Sequence, residues 1–425
     1  MAFMFEHNTN NDDFTDIHKA RLHAVQFDAH HPGFLLHDFN VMLDYVYEIS
    51  PRLTGAGFLP ARTLHMLNAQ MYQPLQHALT RPIQRSFPHL NGLFWLLHAS
   101  GLAFVNHSGK KAALQIHEDV YTSWQELNST EQYCTLLEAW LLRAAPELIG
   151  GHTIFGYNRV LNDWRDLFER IPDEGVHFED SSRDERDLNY FPGYHNLALL
   201  ELFGFVEIET ADVIEGKGWR FSTICRTELG DAILPLLLLK IFGDPDSDDE
   251  PIIANDNPYQ IGLLQPVLQP YFTAWQKNLV IPHLGFRSGL FVYKVTLFKD
   301  VWRRIIIPAK QSLEALAYLI LQAFEFDDDH LYRFIYTNHF GAEQNINHPF
   351  LEEPESTNEV QVGAIPLALG GIMLFNYDFG DNWIFELLLE RIEEPAGGQK
   401  AAIIESVGKA PEQYPTYAED EEFVW

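Results

Sequence analysis

Apolar positions between residues 39 and 49 recur at spacings of three and four, so Phe39, Met42, Leu43, Val46 and Ile49 share one helical face. The turn LTGAGFLP follows, punctuated by Gly55, Gly57 and Pro60. ARTLHMLNAQM predicts a second helix, and LNGLFWLLHASGL, residues 90–102, a third that ends at a C-cap-like Gly101. AFVNHSGKKAALQIH then reads as a strand, a Ser-Gly-Lys-Lys turn and a returning strand. Three helices followed by a hairpin is the winged-helix order, with the most basic point at the hairpin's turn. Phe94, Trp95 and Leu97 of the third helix read as core rather than as base contacts.

Residues 130–143 and 159–170 predict further amphipathic helices, and the charge-dense 172–190 a surface loop. YHNLALLELFGFVEIET and GKGWRFSTICRTELGDAIL repeat the earlier grammar, with Gly204 and the Gly216–Gly218 turn separating a helix, two strands and a helix. The stretch 243–258, GDPDSDDEPIIANDNP, is acidic and Pro-punctuated and reads as a linker. The expected organisation is a partly ordered lead-in at 1–38, a winged-helix-like helical domain at 39–150 and a second such unit at 151–242. After the linker at 243–258 comes an α+β domain at 259–425.

In that last region LFVYKVTLF (residues 290–298) and WRRIIIP (302–308) predict two strands. SLEALAYLILQAF predicts a helix with Ser312 as N-cap, Glu314 in its first turn and Leu313, Leu316, Ala317, Ile320 and Phe324 as its apolar stripe. HLYRFIYT is a strand, and FNYDFGDNWIFELLLERI, residues 375–392, a hairpin around a Gly-Asp-Asn turn. The order β-β-α-β-β-β predicts a mixed or antiparallel sheet with one helix on its face. Residues 338–371 are too long for a structureless loop, so a short helix or strand is expected there. The fold class is therefore α+β and multi-domain, with a mainly helical N-terminal half.

YKVTLFKDVWRRIIIP, SLEALAYLILQAFEFDDDHLYRF and NYDFGDNWIFELLLERI, in this order, resemble the plasmid pRiA4b ORF-3-like family, which includes transposon-passenger proteins. The resemblance covers about residues 285–425, including the tail VGKAPEQYPTY, and LTGAGFLPARTLHML has the flavour of the helical region that often precedes this domain. It implies a mobile-element-associated protein with no settled activity. Trp302, Arg303, Arg304, Tyr377, Asp378, Gly380, Asp381 and Trp383 are the family-motif positions, read as structural. The chain departs from the family where Leu316, Ala317 and Phe385 replace the usual histidines. Phe326 stands where Trp is frequent, and the closing Pro-Pro-Glu-Asp-Cys stretch is missing.

Composition narrows the classes. The chain has 425 residues, enough for two or three domains, and its aromatic fraction of 13% suits well-filled cores. Cys134 and Cys225 form no metal or redox spacing, and no secretory or membrane-spanning run is present. A soluble cytoplasmic protein is expected. The formal charge of −31 opposes nonspecific binding to nucleic acid. Yet the 69 residues from Ile49 to His117 contain no Asp or Glu. They carry Arg52, Arg62, Arg81, Arg85, Lys110 and Lys111 together with six histidines, His65, His77, His89, His98, His107 and His117.

Asp378, Asp381 and His330 are the candidate acid–base or metal-binding set, supported by Asp327, Asp328 and Asp329. Period two puts Phe375, Tyr377 and Phe379 on one face and Asn376 and Asp378 on the other. Arg303 and Arg304 alternate faces, and an ion pair to Asp378 or Asp381 is expected. No P-loop, GxGxxG, GxSxG or HExxH occurs, so no cofactor and no dedicated metal site is expected. The leading reading is a non-enzymatic binding or regulatory protein that contacts nucleic acid or a protein partner through residues 49–117. The alternatives are a metal-dependent hydrolase or nuclease and a protein-interaction scaffold.

Overall fold

The computed structural model describes residues 14–144, 159–178, 187–189, 192–242, 260–282, 285–351, 355–394 and 400–414. The expected linker at 243–258, residues 179–186 and 190 of the 172–190 loop and the last residues of the tail lie outside them. Among the described residues there are eleven α-helices and twelve strands in three sheets, an α+β fold. The chain divides into two compact units: residues 1–104, 113–282 and 339–342 form one, and residues 105–112, 283–338 and 343–425 the other. None of the described helices is long and apolar enough to cross a membrane.

The first unit is mainly helical. It comprises α1 (Asp16–His23), α2 (Leu35–Ile49), α3 (Ala61–Asn68), α4 (Pro88–Ala99), α5 (Glu118–Gln125), α6 (Ser129–Glu138), α7 (Arg159–Arg170), α8 (Tyr194–Leu202), α9 (Glu228–Phe242) and α10 (Gln265–Leu268). The strands β1 (Ala103–Asn106) and β2 (Ala113–Ile116) pair, and β3 (Val176–His177), β4 (Val206–Thr210) and β5 (Phe221–Arg226) form a three-stranded sheet in the order β3-β5-β4.

Helix α2 buries Phe39, Met42, Leu43 and Val46 as its spacing predicts. Ile49 is the exception, 58% exposed, because the helix ends there and Ser50 turns the chain into the left-handed region at φ 48°. Helix α4 is buried nearly all round. On one side Gly92 lets α8 in so closely that a Cβ there would stand 2.8 Å from Leu199 Cγ.

Two buried carboxylates of α6 hold the segment after residue 260. Glu138 accepts from the N–H groups of Gly262 (2.9 Å) and Leu264 (3.0 Å) and pairs with Arg143 at 3.0 Å. Glu131 accepts from Gln276 and Lys277 while closing the capping box on Asn128. A carboxylate out of water persists only when so satisfied.

The second unit is one sheet and one α-helix among the described residues. Strands β6 (Leu290–Phe298), β7 (Val301–Pro308), β8 (Tyr332–Thr337), β9 (Glu343–Asn347), β10 (Ile372–Tyr377), β11 (Trp383–Glu393) and β12 (Ala402–Val407) run in the order β12-β7-β6-β11-β10-β8-β9. Every pairing is antiparallel. Helix α11 (Leu313–Phe324) covers one face, with the Ser312 hydroxyl accepting from Ala315 N–H at 3.1 Å as its N-cap.

The strand alternation decides what meets the helix. Phe291, Tyr293, Val295, Ile305, Ile307, Phe375, Tyr377, Phe385 and Leu387 form a closed core with Leu316, Ile320 and Phe324. At about 1.5–3 kcal/mol for each fully buried large side chain, this face is the main stabiliser of the sheet. The segment 338–371 contributes β9 and two short 3₁₀ turns, so the expected five-strand order becomes seven strands with β12.

The histidines of the acid-free stretch serve packing in part. In the first unit His117 stacks between Phe104 (4.4 Å) and His339 (4.2 Å). Burial holds the His98 imidazole down at about 4 and that of His117 at about 3, and it lowers His339 as well.

Candidate functional site

The hairpin turn builds the chemically richest part of the second unit. Phe375 pairs with Phe385 and Tyr377 with Trp383 across β10 and β11. The expected alternation then breaks, because Asp378 takes φ 52° and Asn382 φ 55°. Phe379 consequently leaves the inner face. It is 44% exposed, with the Arg333 guanidinium 5.4 Å from its ring. Asp378 is buried instead, and its Oδ1 accepts from Gly380 N–H at 2.9 Å, an Asx turn that holds the loop.

Opposite the turn, α11 ends on left-handed Glu325, Phe326 enters the core, and residues 327–330 cross the strand end. The Tyr414 hydroxyl reaches both oxygens of Asp329, at 2.8 and 2.9 Å. That donation holds the Asp329 carboxyl below the usual range. The Tyr377 hydroxyl donates to the Asp327 carbonyl at 2.6 Å, and burial pushes its phenol up to about 12. Buried Gln413 braces the group: its Oε1 accepts from Asp327 N–H at 2.6 Å and its Nε2 donates to Tyr414 at 2.8 Å.

His330 Nε2 lies 3.1 Å from the Tyr414 hydroxyl and 3.5 Å from Asp378 Oδ2. Asp378, His330, Tyr414 and Asp329 thus form one polar cluster, in which His330 Nε2 faces both Asp378 and Tyr414.

Of the three residues predicted to act together, His330 and Asp378 meet. Asp381 brings only its N–H, 3.4 Å from Asp378 Oδ1. Among the described residues no three His, Cys, Asp or Glu side chains converge to hold a metal ion. Gln413 and Tyr414 lie in the tail VGKAPEQYPTY but were not singled out as site residues; they stand 84 or more residues from their partners at 327–330.

The expected pairing of the arginines with the hairpin aspartates is corrected. Arg303 and Arg304 do point to opposite faces, but neither reaches Asp378 or Asp381. Buried Arg303 donates to the carbonyls of Ala323 (2.8 Å), Val407 (2.8 Å), Trp302 (3.0 Å) and Gly408 (3.2 Å), its guanidinium 4.7 Å from the Phe324 ring. Arg304 makes a two-point pair with Glu390, at 2.7 and 3.0 Å, and a second pair with Glu405. Trp302 lies between Lys294 and Arg304, 4.8 and 5.2 Å from its ring. Trp383 stacks edge-on against Phe326.

The six cations of the acid-free segment are all exposed, and none forms an ion pair with a described carboxylate. Arg52 forms an isolated β-bridge with Ala113, and Arg85 lies 6.0 Å from the Phe58 ring, beside the loop whose Leu59 N–H donates to Gln84 Oε1 at 2.9 Å. Arg81 is one turn away in the chain. Lys110 and Lys111 belong to the other unit, in a segment where His107 N–H donates to the Gly370 carbonyl at 2.7 Å.

The second unit is an antiparallel-sheet α+β domain with one packed helix and a carboxylate–imidazole–phenol cluster at a strand end. Residues 291–416 match the family model described as plasmid pRiA4b ORF-3-like protein, so the C-terminal region is similar to that family. No curated protein was found to match the chain. Among solved structures, a protein of unknown function, MM3350 from Methanosarcina mazei Go1, is 22% identical over 28% of this chain and 70% of that one, with a TM-score of 0.25.

Proposed function

We propose that this is a binding protein that contacts the phosphate backbone of nucleic acid through the cations of residues 49–117. The observation that carries the reading is the exposure of Arg52, Arg62, Arg81, Arg85, Lys110 and Lys111 with no described carboxylate paired to any of them, in a chain with 60 acidic residues. What sets these six apart is the stretch around them, 69 residues without one Asp or Glu, so no neighbour in the chain competes with phosphate for their donors. The order α2, α3, α4, β1, β2 supports a winged-helix-like arrangement of 39–150, and α8, β4, β5, α9 a second at 151–242. Because α4 is buried, contact falls to the loops, and backbone rather than base recognition is expected.

The test is salt-dependent binding of a DNA duplex by fluorescence anisotropy. Changing Arg52, Arg62 and Arg85 to Glu together should reduce the slope of log K against log salt by about 3, near 0.9 per lost phosphate contact. Lys110→Glu/Lys111→Glu should weaken binding further, whereas Lys310→Glu, outside the segment, should leave it unchanged. No retention on DNA at low salt, or equal loss in all three variants, would reject the reading.

One observation favours the hydrolase reading, namely the approach of His330 to Asp378 and Tyr414. It predicts metal-stimulated phosphodiester cleavage that disappears in His330→Ala; cleavage unaffected by that change would remove it.

A further inference from the structure

Residues 339–342 belong to the first unit, although the residues on either side of them in the chain, 283–338 and 343–425, belong to the second. Close contacts seat this segment. Phe340 is 3% exposed, with its ring 4.9 Å from the Arg143 guanidinium. Gly341 has φ 76°, and a Cβ there would stand 3.0 Å from His98 Cβ, so the backbone lies directly on that side chain. His339 completes the seat by stacking on His117, the two rings 4.2 Å apart and tilted by 16°.

Three imidazoles therefore meet where the fold suits only their neutral form. His117 is the N-cap of α5, at the positive end of that helix, and its ring lies between His339 and Phe104. Buried His339 leaves its Nε2 without a hydrogen-bond partner among the described residues. Protonation would make that nitrogen a charged donor with no acceptor, a far greater cost than a neutral ring incurs. The other charges nearby do not compensate. Arg143 is itself a cation, paired with Glu138 at 3.0 Å, and Glu118 and Asp119 in the first turn of α5 are exposed. Burial accordingly lowers all three imidazoles from the ordinary 6.5.

We propose that residues 339–342 form an acid-opened clasp, in which proton uptake by His117 and His339 drives the segment out of its seat. Leaving the seat gives both rings water to donate to, which the stacked pair lacks. The released rings take up protons at the ordinary value and the seated ones only at lower pH. Release is therefore favoured by about tenfold for each ring and each unit of pH below about 6.5, until the seated ring itself titrates. His98, uncovered as Gly341 leaves, acts in the same direction.

Hydroxyl-radical footprinting of the full chain tests this. Phe340 oxidation reports exposure of the segment, and Trp140, 0% exposed, reports opening of the unit itself. Between about pH 7 and about pH 4.5, Phe340 oxidation should rise several-fold while Trp140 stays protected. His117→Phe/His339→Phe keeps two stacked rings, removes both protonation sites and should suppress most of the rise. His339→Phe alone, the milder change to the core, should suppress part of it. The inference is overturned by equal protection of Phe340 at both pH values, by oxidation of Trp140 in step with Phe340, or by an undiminished rise in either variant.

Discussion

Arg303→Met is the most informative single change in the sheet domain. The native guanidinium is buried without a carboxylate and donates to four carbonyl oxygens, two of them at 2.8 Å. One acceptor, Ala323, lies in the last turn of α11, where carbonyls lack helical donors and the helix end carries negative charge. Two others, Val407 and Gly408, belong to the end of β12. The side chain therefore ties β7, α11 and β12 together.

A hydrogen bond from a charged donor contributes about 1.5–3 kcal/mol, and each orphaned buried carbonyl costs about 1–3 kcal/mol. Removing the charge also removes the cost of having desolvated it, so the net loss is on the order of 3 kcal/mol. Arg303→Lys keeps the charge but presents its donors from one point, and it should recover roughly half. Arg304→Met, which breaks the pairs with Glu390 and Glu405 but leaves no buried carbonyl orphaned, should cost less, about 1–2 kcal/mol. Hydrogen exchange of the β6 and β7 amides in the full chain reads the opening free energy of this unit directly. A loss below about 1 kcal/mol for Arg303→Met, or full rescue by Lys, would refute the account.

Other predictions follow from the same geometry. The stacked histidines should make stability acid-sensitive. Their folded values, about 4 for His98 and about 3 for His117, lie below the ordinary 6.5, so the unfolded chain takes up protons first. Stability is fully present above about pH 6.5 and falls toward pH 4 and below, and His117→Phe, which keeps the stack, should flatten urea midpoints measured across that interval. Asp378→Asn keeps the acceptor for Gly380 and tolerates φ 52°, so it should melt near wild type, whereas Asp378→Ala should lose about 1–2 kcal/mol. Equal damage by Asn and Ala would mean that the charge facing His330 holds the turn. Ser312→Ala should cost about 1 kcal/mol in chemical denaturation through loss of the α11 cap.

Much of the sheet domain was legible locally. The bounds of β6, the N-cap and apolar stripe of α11 and the β10–β11 hairpin each follow from a pattern a few residues long. Strand β9 was expected only as an unplaced short element within 338–371, and β12 was not expected at all. Both lie at sheet edges, where one side of the ladder is unpaired and the alternation is weak, EQNIN being polar and AIIESV mostly exposed. Phe379 was misplaced because period two was carried one residue too far, into a turn whose left-handed Asp378 rotates the next side chain outward.

The sequence by itself determined the elements, the family resemblance of the C-terminal region and the acid-free basic stretch, because periodicity, turn chemistry and charge are local quantities. Only the tertiary structure decided where the buried polar groups find partners. Arg303 was expected to pair with an aspartate and instead satisfies carbonyls 20 and 105 residues away. Asp329 meets Tyr414 across 85 residues, and His89 meets Glu201 across 112. A buried donor or acceptor must be satisfied by whatever the fold brings within hydrogen-bonding distance, and chain separation does not constrain that choice.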